Sequence, residues 1–150
     1  MWLQGETMVH YRQTQNACFI SKMVVKRPLI AIVDDEESVR LALGRLLRAS
    51  SYEVAVFGSG HEFLQSLPAR QPHCVILDYQ MPDMTGRDVQ RALFLAKERL
   101  PVIIVTAHDQ PALREKCLAD GAAAYFAKPL RREQLIAAIE TALGHASGSS

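Results

Sequence analysis

Pro28-Leu29-Ile30-Ala31-Ile32-Val33 runs apolar and stops on Asp34-Asp35. Its reading decides the fold, because a short aliphatic run bounded by polar residues suits a strand buried on both faces of a parallel sheet. The pattern recurs along the chain. Cys74 to Leu77 ends on Asp78, Val102 to Val105 ends on Thr106, and Ala122 to Ala127 ends on Lys128-Pro129. In an open parallel sheet the carboxyl ends of the strands share one edge, so groups far apart in sequence converge on a single crevice. Three carboxylates, one hydroxyl and one ammonium are the inventory of that edge.

Between these runs the period changes from strand to helix. Val39, Leu43, Leu46 and Leu47 follow the first run at the spacing of a buried helical stripe, with Arg40, Arg45 and Arg48 on other faces. A short strand around Val54 to Phe57 comes next, then a helix that Ser59 can cap, carrying Phe63, Leu64 and Leu67. Pro82 and Gly86 bracket a loop before a third helix with Val89, Leu93 and Ala96. A fourth helix opens near Asp109 and Pro111 and closes at Asp120-Gly121, and a last one carries Leu135, Ile139 and Leu143. Five strands alternating with five helices predict an α/β, doubly wound parallel sheet with helices on both faces.

At 150 residues the chain suits one domain, set here at residues 28–143. Residues 1–27 read as a poorly structured extension that contains alternative starts at Met8 and Met23, and 144–150 as a flexible tail or the beginning of a linker. Seventeen basic and 16 acidic residues leave a net charge of +1, with no block of like charge to suggest a nucleic-acid arm or a membrane-binding face. Cys18, Cys74 and Cys117 show neither zinc spacing nor a disulfide framework, and no apolar stretch approaches the ~20 residues that span a bilayer. A cytoplasmic protein is expected, with Cys74 and Cys117 as small buried hydrophobes.

The strand-end groups carry a chemical implication. Two unit charges about 4 Å apart repel by roughly 4 kcal/mol at an effective dielectric near 20, so Asp34, Asp35 and Asp78 do not all stay ionised together unaided. A divalent cation relieves the repulsion, and an all-oxygen site points to Mg²⁺ rather than Zn²⁺. With the Thr106 hydroxyl and the Lys128 ammonium alongside, the parts suit binding of a phosphoryl group. A carboxylate can itself be the nucleophile, and Asp78, alone at the end of the central strand, is the acceptor this pattern selects.

The chain resembles the receiver domain of two-component response regulators over residues 28 to about 143. The resemblance is carried by Asp34-Asp35, by Asp78 followed by Met81-Pro82 and Gly86, by Thr106-Ala107, and by Tyr125 three residues before Lys128-Pro129. It implies a flavodoxin-like sheet in strand order 2-1-3-4-5. It also implies phosphorylation of Asp78 by a histidine kinase or a histidine phosphotransfer protein, with Mg²⁺ held by Asp35, Asp78 and the backbone carbonyl of Gln80 and with Asp34 acting largely through water. Thr106 and Lys128 then hold the phosphoryl oxygens, and the Lys128-Pro129 bond is cis. Tyr125 would turn from exposed to buried as Thr106 is drawn toward the site, remodelling the face built from the fourth helix, the fifth strand and the fifth helix. Gln80 and His108 occupy the two variable positions that flank the phosphoryl group. The expected protein is a phosphoacceptor rather than an enzyme on other substrates. It acts as a single-domain regulator or relay intermediate that docks on a downstream protein, with homodimerisation through the fourth and fifth helices left open.

Two rivals stand beside this reading. A haloacid dehalogenase-like phosphatase also uses an Asp nucleophile, Mg²⁺, a Thr and a Lys, but needs a second acid two residues after the nucleophile; Asp78 is followed by Tyr79-Gln80, and Asp34 by Asp35-Glu36. A receiver-like binding module that takes no phosphate usually lacks one of the acids, the Thr or the Lys. All are present here.

Overall fold

The computed structural model describes residues 27–148. The readings made for residues 1–26, including the alternative starts and Cys18, lie outside the described residues. Five strands, β1 (Leu29–Val33), β2 (Glu53–Phe57), β3 (Cys74–Asp78), β4 (Val102–Thr106) and β5 (Ala124–Ala127), form one parallel sheet in the order β2-β1-β3-β4-β5. Between and after them run α1 (Glu37–Ala49), α2 (Gly60–Ser66), α3 (Gly86–Leu95), α4 (Pro111–Ala119) and α5 (Arg132–Gly148). The expected doubly wound, flavodoxin-like topology is the observed one.

Alternation along the strands divides the core into two layers. Ala31, Val33, Val75, Leu77, Val102 and Ile104 face Phe63, Val89, Leu93 and Cys117 of α2, α3 and α4. Ile30, Ile32, Cys74, Ile76, Ile103 and Val105 face Leu43, Leu47, Leu135 and Ile139 of α1 and α5. The three central strands are buried along their whole length, which is why they read as uninterrupted apolar runs. β2 and β5, at the edges, are partly exposed and carry weaker signatures.

Local chemistry sets the helix ends. The Ser59 hydroxyl accepts from the Glu62 amide at 3.1 Å and starts α2 as expected. Thr85 and Asp88 form a reciprocal capping box at the start of α3. Gly121 takes φ +101° just past α4, a conformation that costs a glycine little.

Some boundaries differ from the reading. β5 starts at Ala124, not Ala122, because Ala122 and Ala123 form the connection from α4, with their amides on the Cys117 and Val102 carbonyls. Ala96 caps α3 and is exposed rather than continuing its apolar stripe. α5 runs through Gly148, past the boundary placed at residue 143, since no proline interrupts the chain there.

Candidate functional site

Sheet register assembles the site one step at a time. Val33 pairs with Leu77, which sets Asp34 beside Asp78; Asp78 pairs with Val105, which sets Thr106 next; and Thr106 pairs with Ala127, which delivers Lys128. The Lys128 amide also donates to the Thr106 carbonyl at 2.8 Å, and the Tyr79 amide to the Val105 carbonyl at 2.8 Å. Asp34, Asp78 and Thr106 are buried, while Asp35 is exposed.

One carboxylate oxygen from each of Asp34, Asp35 and Asp78 lies within 4.8 Å of the other two. Three carboxylate oxygens this close together suit one hard cation, held directly or through water. Lys128 Nζ donates to Asp34 Oδ2 at 2.9 Å and lies 3.3 Å from Asp78 Oδ1. One ammonium among three carboxylates leaves two negative charges to be met, and the all-oxygen donor set fits a hard divalent ion.

The charges perturb one another. Burial pushes the Asp78 carboxyl up to about 6; the neighbouring Asp34 charge adds to the rise and Lys128 opposes it. For Lys128, burial works against the charged form, but the hydrogen bond to Asp34 and the charges of Asp78 and Asp34 outweigh it and hold the ammonium above its usual range.

Asp34 is held from several sides. Its Oδ1 accepts from the Glu36 amide at 2.9 Å, and its backbone carbonyl accepts from Arg40 Nη1 at 2.7 Å. In the sequence Arg40 shows only as a residue off the buried helical stripe. Its place in the first turn of α1, just after the acid pair, was the available signal, because helical side chains lean back toward the helix start. Thr106 Oγ1 accepts from the His108 amide at 3.0 Å, leaving the hydroxyl proton free to donate elsewhere. The Lys128-Pro129 bond is cis, as the resemblance implied.

Gly86 is where the following loop touches the acceptor strand. Its amide donates to the Tyr79 carbonyl at 2.8 Å, and a Cβ there would stand 2.9 Å from the Asp78 carbonyl oxygen and 3.0 Å from Tyr79 Cα. Only a residue without a side chain fits that approach. Gln80 and His108 are both exposed and line a shared cavity of about 250 Å³ beside the site, together with Tyr79, Arg87 and Lys116.

Tyr125 departs from the expected exposed starting position: it is 2% exposed. Its ring lies under the Arg114 guanidinium, 5.5 Å from the centroid, and packs in the same core layer as Ile104 and Cys117. The hydroxyl has no hydrogen-bond partner, although Asp109 and the Gln110 backbone lie close enough to influence it. Burial raises the phenol above its ordinary range, and Asp109 adds to the rise.

Comparison with known proteins agrees with this geometry. Residues 30–140 match the family described as the response regulator receiver domain. The chain is 40% identical over 115 residues to the response regulator protein TmoT of Ectopseudomonas mendocina, covering 77% of this chain and 52% of TmoT. A response regulator receiver protein from Burkholderia phymatum superimposes with a TM-score of 0.71 at 44% identity, over 79% of this chain and 96% of that one. The chemotaxis protein CheY4 of Vibrio cholerae superimposes with a TM-score of 0.73 at 26% identity, over 78% and 99%. The chain spans about half the length of the curated relatives it matches.

Proposed function

The chain belongs to the response regulator receiver domain family of two-component signalling, and from that premise we propose that Asp78 is its phosphoacceptor. The carrying observation is that Asp78 lies buried at the end of the central strand, 3.3 Å from Lys128 and within 4.8 Å of Asp34 and Asp35 oxygens. In the proposed reaction an Asp78 carboxylate oxygen attacks the phosphorus of a phosphohistidine on a histidine kinase or histidine phosphotransfer protein. An O–P bond forms, the P–N bond breaks, and the imidazole leaves with the electron pair.

Asp35, Asp78 and the Gln80 backbone carbonyl would hold Mg²⁺, with Asp34 largely through water. The ion would supply neutralisation of charge on the phosphoryl oxygens. Lys128 exchanges its contact with Asp78 for a phosphoryl oxygen. Thr106 donates its free proton to another oxygen while still accepting from the His108 amide. Gln80 and His108 border the approach of water and set how long the acyl phosphate lasts.

With Tyr125 already buried, phosphorylation holds the ring inward rather than drawing it in, fixing the α4–β5–α5 face for a downstream protein. The protein promotes only its own phosphorylation and dephosphorylation, in the cytoplasm; no helix of the described residues is long and apolar enough to cross a membrane.

Incubation with acetyl phosphate and Mg²⁺, followed by intact-mass spectrometry, tests this. One added phosphoryl group, absent from Asp78→Asn and from samples with EDTA, is expected. No mass gain in the parent protein would favour a phosphate-independent binding module, and repeated turnover of a simple phosphoester would favour a phosphatase.

A further inference from the structure

Asp35 is the least restrained of the three acids. Lys128 holds Asp34 and lies against Asp78, whereas the exposed Asp35 side chain has no hydrogen-bond or ion-pair partner among the described residues. Its position is therefore set by the backbone on either side of it. Arg40 grips both sides: Nη1 donates to the Asp34 carbonyl at 2.7 Å, and the Arg40 amide donates to the Glu36 carbonyl at 3.1 Å. The Asp34 carbonyl shares a planar peptide unit with the Asp35 amide, so holding the one fixes the plane from which Asp35 departs.

The guanidinium stands in for a rung that the sheet lacks. β1 and β2 pair in parallel up to Val33 and Phe57, and the Asp34 amide still donates to the Phe57 carbonyl at 3.1 Å. A continuing parallel ladder would next give the Asp34 carbonyl a donor two residues beyond Phe57. That residue, Ser59, has left the strand to cap α2, and the Gly58 amide before it donates to Glu62 Oε1 at 2.9 Å. Arg40 takes the place of the missing donor, lying over the turn so that a Cβ on Gly58 would stand 3.5 Å from Nη1. Arg40 forms no ion pair among the described residues.

We propose that Arg40 is a positioning residue of the cation site, which orders Asp35 for a divalent ion by tying down the carbonyls of Asp34 and Glu36. The proposal rests on the reading of Asp34, Asp35 and Asp78 as a Mg²⁺ site. Two effects of the guanidinium oppose each other. Its positive charge weakens cation binding, whereas its hold on the Asp34-Asp35 peptide strengthens it. The charge effect is the smaller: the charges that move the Asp78 carboxyl are those of Asp34, Lys128 and Asp35, with Arg40 not among them. Groups that orient a metal ligand without touching the metal are worth about 10–100-fold in affinity. Positioning therefore prevails, and the sign of the change on removing Arg40 separates the two effects.

Mg²⁺ titration of the metal-free chain, followed by ¹H–¹⁵N NMR, reads affinity, local order and folding together. Arg40 lies off the core face that Leu43 and Leu47 form, so Met preserves the fold. Arg40→Met should bind Mg²⁺ about tenfold more weakly, with lower amide order parameters at Asp35 and Glu36 in the metal-free protein. Arg40→Lys keeps a donor at the end of the side chain and should recover part of the affinity. Arg45→Met removes the same charge from an exposed position on α1 and should leave affinity and order unchanged. Binding by Arg40→Met that equals or exceeds the parent's, an Asp35 amide as ordered as before, or Arg40→Lys no better than Arg40→Met would overturn the proposal while leaving the Mg²⁺ site standing. A parent chain that binds no Mg²⁺ would overturn the Mg²⁺ reading and the proposal with it.

Discussion

Replacing Asp78 with Asn should stabilise the metal-free protein. The Asp78 carboxyl stands at about 6 against an ordinary 3.8, because burial and the Asp34 charge outweigh the attraction of Lys128. That gap of about 2 units corresponds to roughly 3 kcal/mol at about 1.36 kcal/mol per unit. The folded state binds this proton more tightly than the unfolded chain, so the penalty is absent below about pH 4, grows as pH rises to about 6, and is complete above it. Asn removes the charge at nearly constant volume. Urea denaturation in EDTA should find Asp78→Asn more stable than the parent by up to about 3 kcal/mol at pH 8, with the difference vanishing toward pH 4. Saturating Mg²⁺ should reverse the order by stabilising only the parent. An Asn variant that is less stable at pH 8 in EDTA, or a difference that does not change with pH, would refute the reasoning.

Lys128→Ala leaves the buried Asp34 without its ammonium at 2.9 Å; a loss of about 2–3 kcal/mol is expected in EDTA, with part of it recovered on adding Mg²⁺, both read by denaturant titration. Gly86→Ala forces backbone apart where a Cβ would stand 2.9 Å from the Asp78 carbonyl oxygen, so a cost of about 1–3 kcal/mol and slower phosphorylation by acetyl phosphate should follow. Tyr125→Phe removes a buried hydroxyl that has no partner, and thermal unfolding should show it neutral or more stable by up to about 1 kcal/mol; a clear loss would mean that the hydroxyl is hydrogen-bonded in solution.

The fold was legible because the three central strands are covered on both faces and so are written as unbroken aliphatic runs. Their terminal polar residues were legible for the same reason: a strand that must be apolar throughout makes the first Asp or Thr after it conspicuous. The edges were harder, and β5 lost Ala122 and Ala123 to a connection whose hydrogen bonds no local pattern announces. Within the site, the residue types pointed to a cation and a phosphoryl group, but not to which carboxylate Lys128 would choose. That choice depends on distances across the sheet edge, 2.9 Å to Asp34 against 3.3 Å to Asp78. Arg40 on the Asp34 carbonyl and the inward Tyr125 under Arg114 are likewise products of tertiary placement. The apolar pair Phe94-Leu95 at the end of α3 is the reverse case: its place on a helix was readable, but its exposure appears only once Leu93 and Val89 have taken the core face.

The most direct test of the phosphoacceptor assignment is chemical capture of the modified residue. Protein treated with acetyl phosphate and Mg²⁺ is reduced with borohydride, which converts an aspartyl phosphate to homoserine, and is then digested and sequenced by mass spectrometry. The expected result is homoserine at position 78 and at no other aspartate; homoserine at Asp34 or Asp35, or none at all from protein that has gained a phosphoryl group, would contradict it.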